Sequence, residues 1–196
     1  MTRLFCQDNP GILRLDARVL KSRPGAVLLS QHPLYPGGGG QLPDRGIVRW
    51  QGGETPVAGF SEEGGLAWIQ LPGDIEITGE VQVEVDPVFR QLMRELHTDL
   101  HVLNALVFRD FDGALVTGVQ MNEDGTARID FDLPGADNDR LRALEAELND
   151  VVAQDLAVET SYVSVTEAHG EQGLLRSRSV APPPSAEGPA PSPAWS

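Results

Sequence analysis

The feature that most constrains what this chain can fold into is a single change of hydrophobic period at Asp86-Pro87. Before it, Val81, Val83 and Val85 alternate with Gln82 and Glu84, the two-residue period of a strand with one buried face. After it, Phe89, Leu92, Met93, Leu96, Leu100, Leu103 and Val107 recur at helical spacing through Phe108. Asp at the N-cap followed by Pro at the first helical position is a strong helix start. A chain that reads as β before this point, and as mixed helix and strand after it, is expected to be α+β.

Short β-prone runs at 26–30, 47–50, 67–71 and 75–85 are separated by Gly/Pro-rich turns, which suggests a small barrel or sandwich over residues 1–85. Past the helix, strands are expected at 114–121 and 127–133, joined by Asn122-Glu123-Asp124-Gly125, whose Asp-Gly step is a hairpin signal. A second helix is expected over 139–154, with Leu141, Leu144, Leu148 and Val152 on one face, and a further strand over 156–165. These elements make 86–179 an α+β part. From Val180 the composition collapses into Pro, Ser, Ala and Gly, so 180–196 is expected to be a disordered tail.

Hydrophobic residues make up 40% of the 196, yet no apolar run approaches the roughly 18–20 residues of a membrane helix, so no membrane partner is expected. Residues 1–10 hold no apolar signal core, and the lone Cys6 cannot form an internal disulfide; both fit a cytoplasmic protein. The net charge of −14 argues against broad non-specific nucleic-acid binding. Its distribution is uneven: residues 1–50 hold seven Arg/Lys and three Asp/Glu. A polyanion would therefore dock through the N-terminal part, unless the asymmetry only marks differently solvated faces.

Two motifs carry chemistry. His97 and His101 stand four residues apart, about 40° around a helix, so both imidazoles leave the same side and can share one metal ion. Thr98 occupies the place where a zinc protease needs its glutamate base, which disfavours proteolysis. Spacing alone leaves open metal ligation or two polar histidines at a helix boundary. The second motif is His32-Pro33-Leu34-Tyr35-Pro36-Gly37-Gly38-Gly39-Gly40-Gln41, which lacks the Gly-Lys-Ser/Thr ending of a phosphate loop. It reads either as a flexible turn or as a mobile loop whose backbone N–H groups meet a ligand. No Gly-x-Ser-x-Gly elbow supports serine-hydrolase chemistry. Asp130, Asp132, Asp137 and Asp139 read as a solvated rim and a helix cap.

Together these segments resemble the free-standing alanyl-tRNA editing proteins of the AlaX type, which are similar to the editing domain of alanyl-tRNA synthetase. The first family signature is close to Thr-x-Phe-Tyr-Pro-x-Gly-Gly-Gly-Gln followed by Asp-x-Gly; here it runs from His32 to Gln41, with Asp44-Arg45-Gly46 after it. Arg90, Met93, His97, Thr98 and His101 hold the places of Arg-x-x-Met and His-Thr-x-x-His, and 117–120 and 127–131 look like the strands that follow. The resemblance covers roughly residues 1–188. It implies a β-barrel-like part followed by an editing part, and metal-assisted hydrolysis of the ester joining serine or glycine to alanine tRNA. It implies zinc on His97 and His101, with His32, Gly38, Gly39, Gly40 and Gln41 around the aminoacyl end of the tRNA.

Two departures shape the expectation. His32 replaces the family threonine that meets the serine hydroxyl, which leaves the amino acid removed open. The later Cys-x-x-x-His of the family is absent, although residues 174–180 look like the run-up to it. The chain is expected to be a truncated or frameshifted form that lost two ligands, with weak metal affinity. The reading from another class is a non-catalytic tRNA-binding remnant of the same family.

Overall fold

Period-two alternation puts Leu15, Ala17 and Val19 on one face of β1 (Arg14–Arg23), and Val81, Val83 and Val85 on one face of β7 (Glu80–Val85). The two strands pair antiparallel with Leu15 opposite Val83 and Ala17 opposite Val81, so the small residue and the valines share one buried surface. The structure is a computed structural model that describes residues 4–135, 137–159, 161, 163–170 and 173–177. The tail expected at 180–196 lies outside the described residues. The chain divides into two compact units, Met1–Arg94 and Glu95–Ser196; each is described by itself.

In the first unit, a short helix α1 (Phe5–Asp8) precedes β1. The remaining strands are β2 (Ala26–Leu29), β3 (Gly46–Trp50), β4 (Gly53–Pro56), β5 (Gly59–Glu63) and β6 (Leu66–Gln70). They form one antiparallel sheet in the order β4-β3-β7-β1-β2-β6-β5. Its two end strands are separated in sequence by only Val57 and Ala58. The Val57 N–H donates to the Gly46 carbonyl at 2.9 Å and the Ala58 N–H donates to the Gln70 carbonyl at 2.8 Å. This link therefore bonds to β3 and β6 in turn, and the sheet curls on itself around Val27, Leu34, Val48, Ile69, Ile77 and Val83.

Three of these strands, β1, β4 and β5, lie outside the β-prone runs of the sequence. β1 exposes Arg14, Asp16, Arg18 and Lys21 and is broken by a register shift near Leu20, and β4 and β5 are short, polar and begin on glycine. The strand expected over 75–85 begins only at Glu80. Ile77 is fully buried, but its N–H donates to the Ser22 hydroxyl at 3.0 Å rather than to a ladder partner.

Helix α2 (Pro87–Asp110) starts as the sequence predicts: Asp86 Oδ1 accepts from the N–H groups of Val88 and Phe89, both at 3.0 Å. The unit boundary falls inside this helix. In the second unit, β8 (Val116–Met121) and β9 (Ala127–Phe131) form the expected hairpin. Helix α3 (Asn138–Ala153) is capped by Asp137, whose carboxylate accepts from Asp139 N at 2.9 Å and Arg140 N at 3.3 Å. Leu106, Val107, Phe111, Ala114 and Leu144 make the core, with Leu103, Phe131, Leu141 and Leu148 packed against it. The fold class is α+β.

One expected element is corrected. The strand read over 156–165 is not continuous among the described residues: 156–159 are irregular, Val163 makes only a single β-bridge, and α4 (Val165–Gly170) begins where that strand was to end. Asp155 takes a positive φ of 48°, which turns the chain, and Leu156 and Val158 stay 63% and 51% exposed with no sheet face to cover them. The place beside β8 is taken by a later segment: the Val116 N–H donates to the Arg176 carbonyl at 3.0 Å, and Ser177 makes a parallel bridge to Val116. Among the described residues no helix is long and apolar enough to cross a membrane.

Candidate functional site

In the first unit the glycine run is a folded hairpin. Gly38 and Gln41 exchange backbone hydrogen bonds at 3.1 and 3.0 Å, leaving Gly39 and Gly40 as a two-residue turn with φ of 60° and 84°. Positive φ at both positions is the geometry that glycine adopts without strain. The Tyr35 hydroxyl donates to the Gly38 carbonyl at 3.1 Å, and the Asp44 N–H donates to the Tyr35 carbonyl at 2.9 Å. A Cβ added at Gly39 would meet nothing within 4 Å, so the tip is open to a ligand.

The base of this hairpin is closed by charge. The Asp44 carboxylate accepts from the Tyr35 N–H at 2.5 Å and from Arg90, whose Nε lies 2.9 and 3.0 Å from its two oxygens and whose Nη2 also reaches Oδ2. Arg90 Nη2 further donates to the Pro33 carbonyl at 2.7 Å, and Nη1 to the Pro10 carbonyl at 3.5 Å. Both side chains are buried, 3% and 6% exposed. His32 stands at the entry to the hairpin, its ring tilted against Phe60 at 5.9 Å. Burial lowers its pKa, against smaller opposing pulls from the Leu34 backbone and Asp44, so the ring is neutral near pH 7. Its Nδ1 is buried and finds no hydrogen-bond partner among the described residues.

In the second unit, α2 brings His97 and His101 together as the spacing predicts. Their rings stack at 4.8 Å with 11° between planes. Burial lowers the pKa of His97; burial, then His97 and Arg176, push His101 down to about 4. Two neutral imidazoles therefore stand side by side at neutral pH. Asn104, three residues further along the helix, places a buried Oδ1 with no partner among the described residues. Sequence reasoning passed over Asn104, because nothing in its neighbours marks a buried amide. A cavity of about 380 Å³, lined by residues 111–115 and 132–134, contains none of the residues expected from sequence to bind metal or substrate; Asp132, expected on a solvated rim, lies at its wall.

Tetrahedral zinc takes four ligands, of which a catalytic site supplies three from the protein. His97 and His101 fit half of such a set. Among the described residues no group of three His, Cys, Asp or Glu side chains forms that could hold a metal ion. The only thiol, Cys6, belongs to the first unit, is buried, and has its pKa pushed up to about 11, chiefly by that burial. Arg176, which acts on His101, adds positive charge where a cation would sit.

The basic residues of the first 50 are largely engaged. Arg14 and Arg49 both reach Glu84, Arg49 also pairs with Glu54, Arg18 with Glu80 and Arg23 with Glu63. All but Arg23–Glu63, which joins β1 to the more distant β5, link neighbouring strands, so the local excess of positive charge read from sequence is largely matched by glutamates.

The chain is 31% identical over 186 residues to the alanine–tRNA ligase of Korarchaeum cryptofilum, a match covering 93% of this chain and 21% of the ligase. The alanine–tRNA ligase of Pyrobaculum neutrophilum is 32% identical over 179 residues, and that of Methanopyrus kandleri 33% over 151. The chain resembles one portion of the alanine–tRNA ligases. It spans about a fifth of the length of the curated relatives it matches, between 16% and 21%. No protein-family model matches it. A match over 93% of the chain takes in the hairpin and both stacked histidines alike.

Proposed function

We infer that this chain is a trans-editing hydrolase, which removes a wrong amino acid, serine or glycine, from alanine tRNA in the cytoplasm. The observation that carries the reading is that one continuous match to the alanine–tRNA ligases includes the 32–44 hairpin and the His97/His101 pair. In this reaction water adds to the ester carbonyl carbon, the bond to the ribose oxygen breaks, and a proton passes from the water to that oxygen. A neutral buried imidazole suits the proton transfer, because it can accept before it must give up. His97 is the better base of the two, since His101 at about pKa 4 holds a proton too weakly at pH 7. His101 then serves by orienting the water or the ester.

On the substrate side, Gly38, Gly39, Gly40 and Gln41 offer a narrow backbone turn to the aminoacyl adenosine. His32 supplies a buried Nδ1 with no hydrogen-bond partner among the described residues, suited to the hydroxyl of a seryl group. Zinc, if bound by His97 and His101 alone, would be held loosely and would polarise a water or the ester carbonyl. Alanine tRNA charged in turn with serine, glycine and alanine, and mixed with the full chain with and without added zinc, tests the reading. Release of serine or glycine well above the spontaneous rate, with alanine retained, is expected.

The incomplete donor set favours one second reading, a tRNA-binding remnant without catalysis. Retained binding of alanine tRNA with no release of any amino acid, zinc added or not, would support it instead.

A further inference from the structure

We propose that Arg90 and Asp44 are a positioning pair for the 35–44 hairpin, and that their ion pair, rather than the turn itself, sets where the glycine tip is presented. The proposal rests on the reading above that the hairpin meets the substrate. Backbone bonds alone give this hairpin little stiffness. It has one bonded pair at the tip, Gly38 with Gln41, one bond at the base, from Asp44 N to Tyr35 O, and four glycines between 37 and 40. Glycine loses more conformational freedom on ordering than any other residue, so such a loop stays in one place only if something outside it holds both legs.

The guanidinium does so with separate donors. Nε and Nη2 grip the Asp44 carboxylate on the returning leg, Nη2 also holds the Pro33 carbonyl on the outgoing leg, and Nη1 lies 3.5 Å from the Pro10 carbonyl. Asp44 then passes the restraint across the base through the Tyr35 N–H. Its own backbone continues into Arg45, whose carbonyl accepts from the N–H of Asp86, the cap of α2. Arg90 stands in the first turns of that helix. The hairpin is thus tied to the start of α2 twice, by side chain and by backbone, and the planar fork is what lets one residue reach both legs. A lysine carries the charge without the fork.

The test is amide hydrogen exchange, read residue by residue, on the full chain and on R90K and D44N, together with binding of a seryl adenosine analogue whose ester is replaced by a stable amide. In R90K the amides of Tyr35, Gly38, Gln41 and Asp44 are expected to exchange at least tenfold faster, while those of Val27, Val48 and Val83 keep their protection. D44N keeps an acceptor for Tyr35 and should give a smaller, equally local increase. Analogue affinity should fall at least tenfold in R90K with the unfolding temperature of the sheet little changed. Unchanged hairpin exchange in both variants would overturn the proposal, and so would a uniform loss of protection across hairpin and sheet. If the unaltered chain does not bind the analogue, the substrate reading fails, while the exchange pattern still decides the positioning role.

Discussion

His101 shows how far a single side chain can depart from its ordinary chemistry here. Its pKa is pushed from 6.5 to about 4 by burial, with His97 and Arg176 adding to the effect. Above pH 6.5 the folded and unfolded chains both carry a neutral ring. Between 6.5 and about 4 the unfolded chain binds a proton that the folded one refuses, so stability falls as pH drops across that window. The full loss from this group is about 3 kcal/mol. Urea unfolding at pH 7 and pH 4.5, in the presence of chelator, should show a smaller acid loss in His101→Gln. Glycines give a second residue-scale contrast. A Cβ at Gly46 would lie 2.4 Å from the Glu84 carbonyl and 2.7 Å from Leu34 Cδ2, so Gly46→Ala is expected to cost about 1–3 kcal/mol. Gly39→Ala meets no atom and should cost only the strain of its positive φ, about 1–2 kcal/mol. At this scale the histidine spacing was legible, because a helix fixes where residues four apart point. The roles of Asp44 and Arg90 were not, although both stood within recognisable motifs: their pairing depends on segments distant in sequence, with Arg90 reaching the carbonyls of both Pro10 and Pro33.

Elements were legible where local chemistry dictates them and obscure where pairing partners do. The α2 start is local: Asp86 caps two N–H groups and Pro87 needs none, so Asp86→Ala should lower stability by about 1 kcal/mol in thermal or urea unfolding. The 127–131 strand and its turn are local too, with Asp124 accepting from the Thr126 N–H at 3.0 Å and Gly125 at φ 83°. β1 alternates Arg14, Asp16 and Arg18 with Leu15, Ala17 and Val19, but it holds no apolar run to mark it, and the meaning of its charges emerges only against Glu84, Gln82 and Glu80 across the ladder. β5 likewise makes sense only beside β6, where Ser61 accepts from the Gln70 side chain at 2.7 Å. The strand expected at 156–165 was apolar enough in sequence, but 156–159 are irregular and the place beside β8 is taken by Ser177. Apolar content alone does not make a strand.

Charge is the property of the whole molecule that bears most on its partner. Of a net −14, the second unit carries most: residues 95–196 hold six Arg/Lys against 18 Asp/Glu. In the first unit Arg14, Arg18, Arg23 and Arg49 are already paired with glutamates. Few cations are left to displace counterions from RNA, so the log–log salt dependence of alanine tRNA binding should be shallow, with a slope of about −2 or less in magnitude between 50 and 200 mM KCl. Under the proposed function, recognition would then rest on the aminoacyl end rather than on the phosphate backbone. The most direct measurement is single-turnover deacylation of seryl alanine tRNA by the full chain and by the His97→Ala/His101→Ala double variant. The account predicts hydrolysis by the unaltered chain and a loss of at least a hundredfold in a double variant that still unfolds cooperatively. Equal rates in both, or no hydrolysis by either, would contradict it.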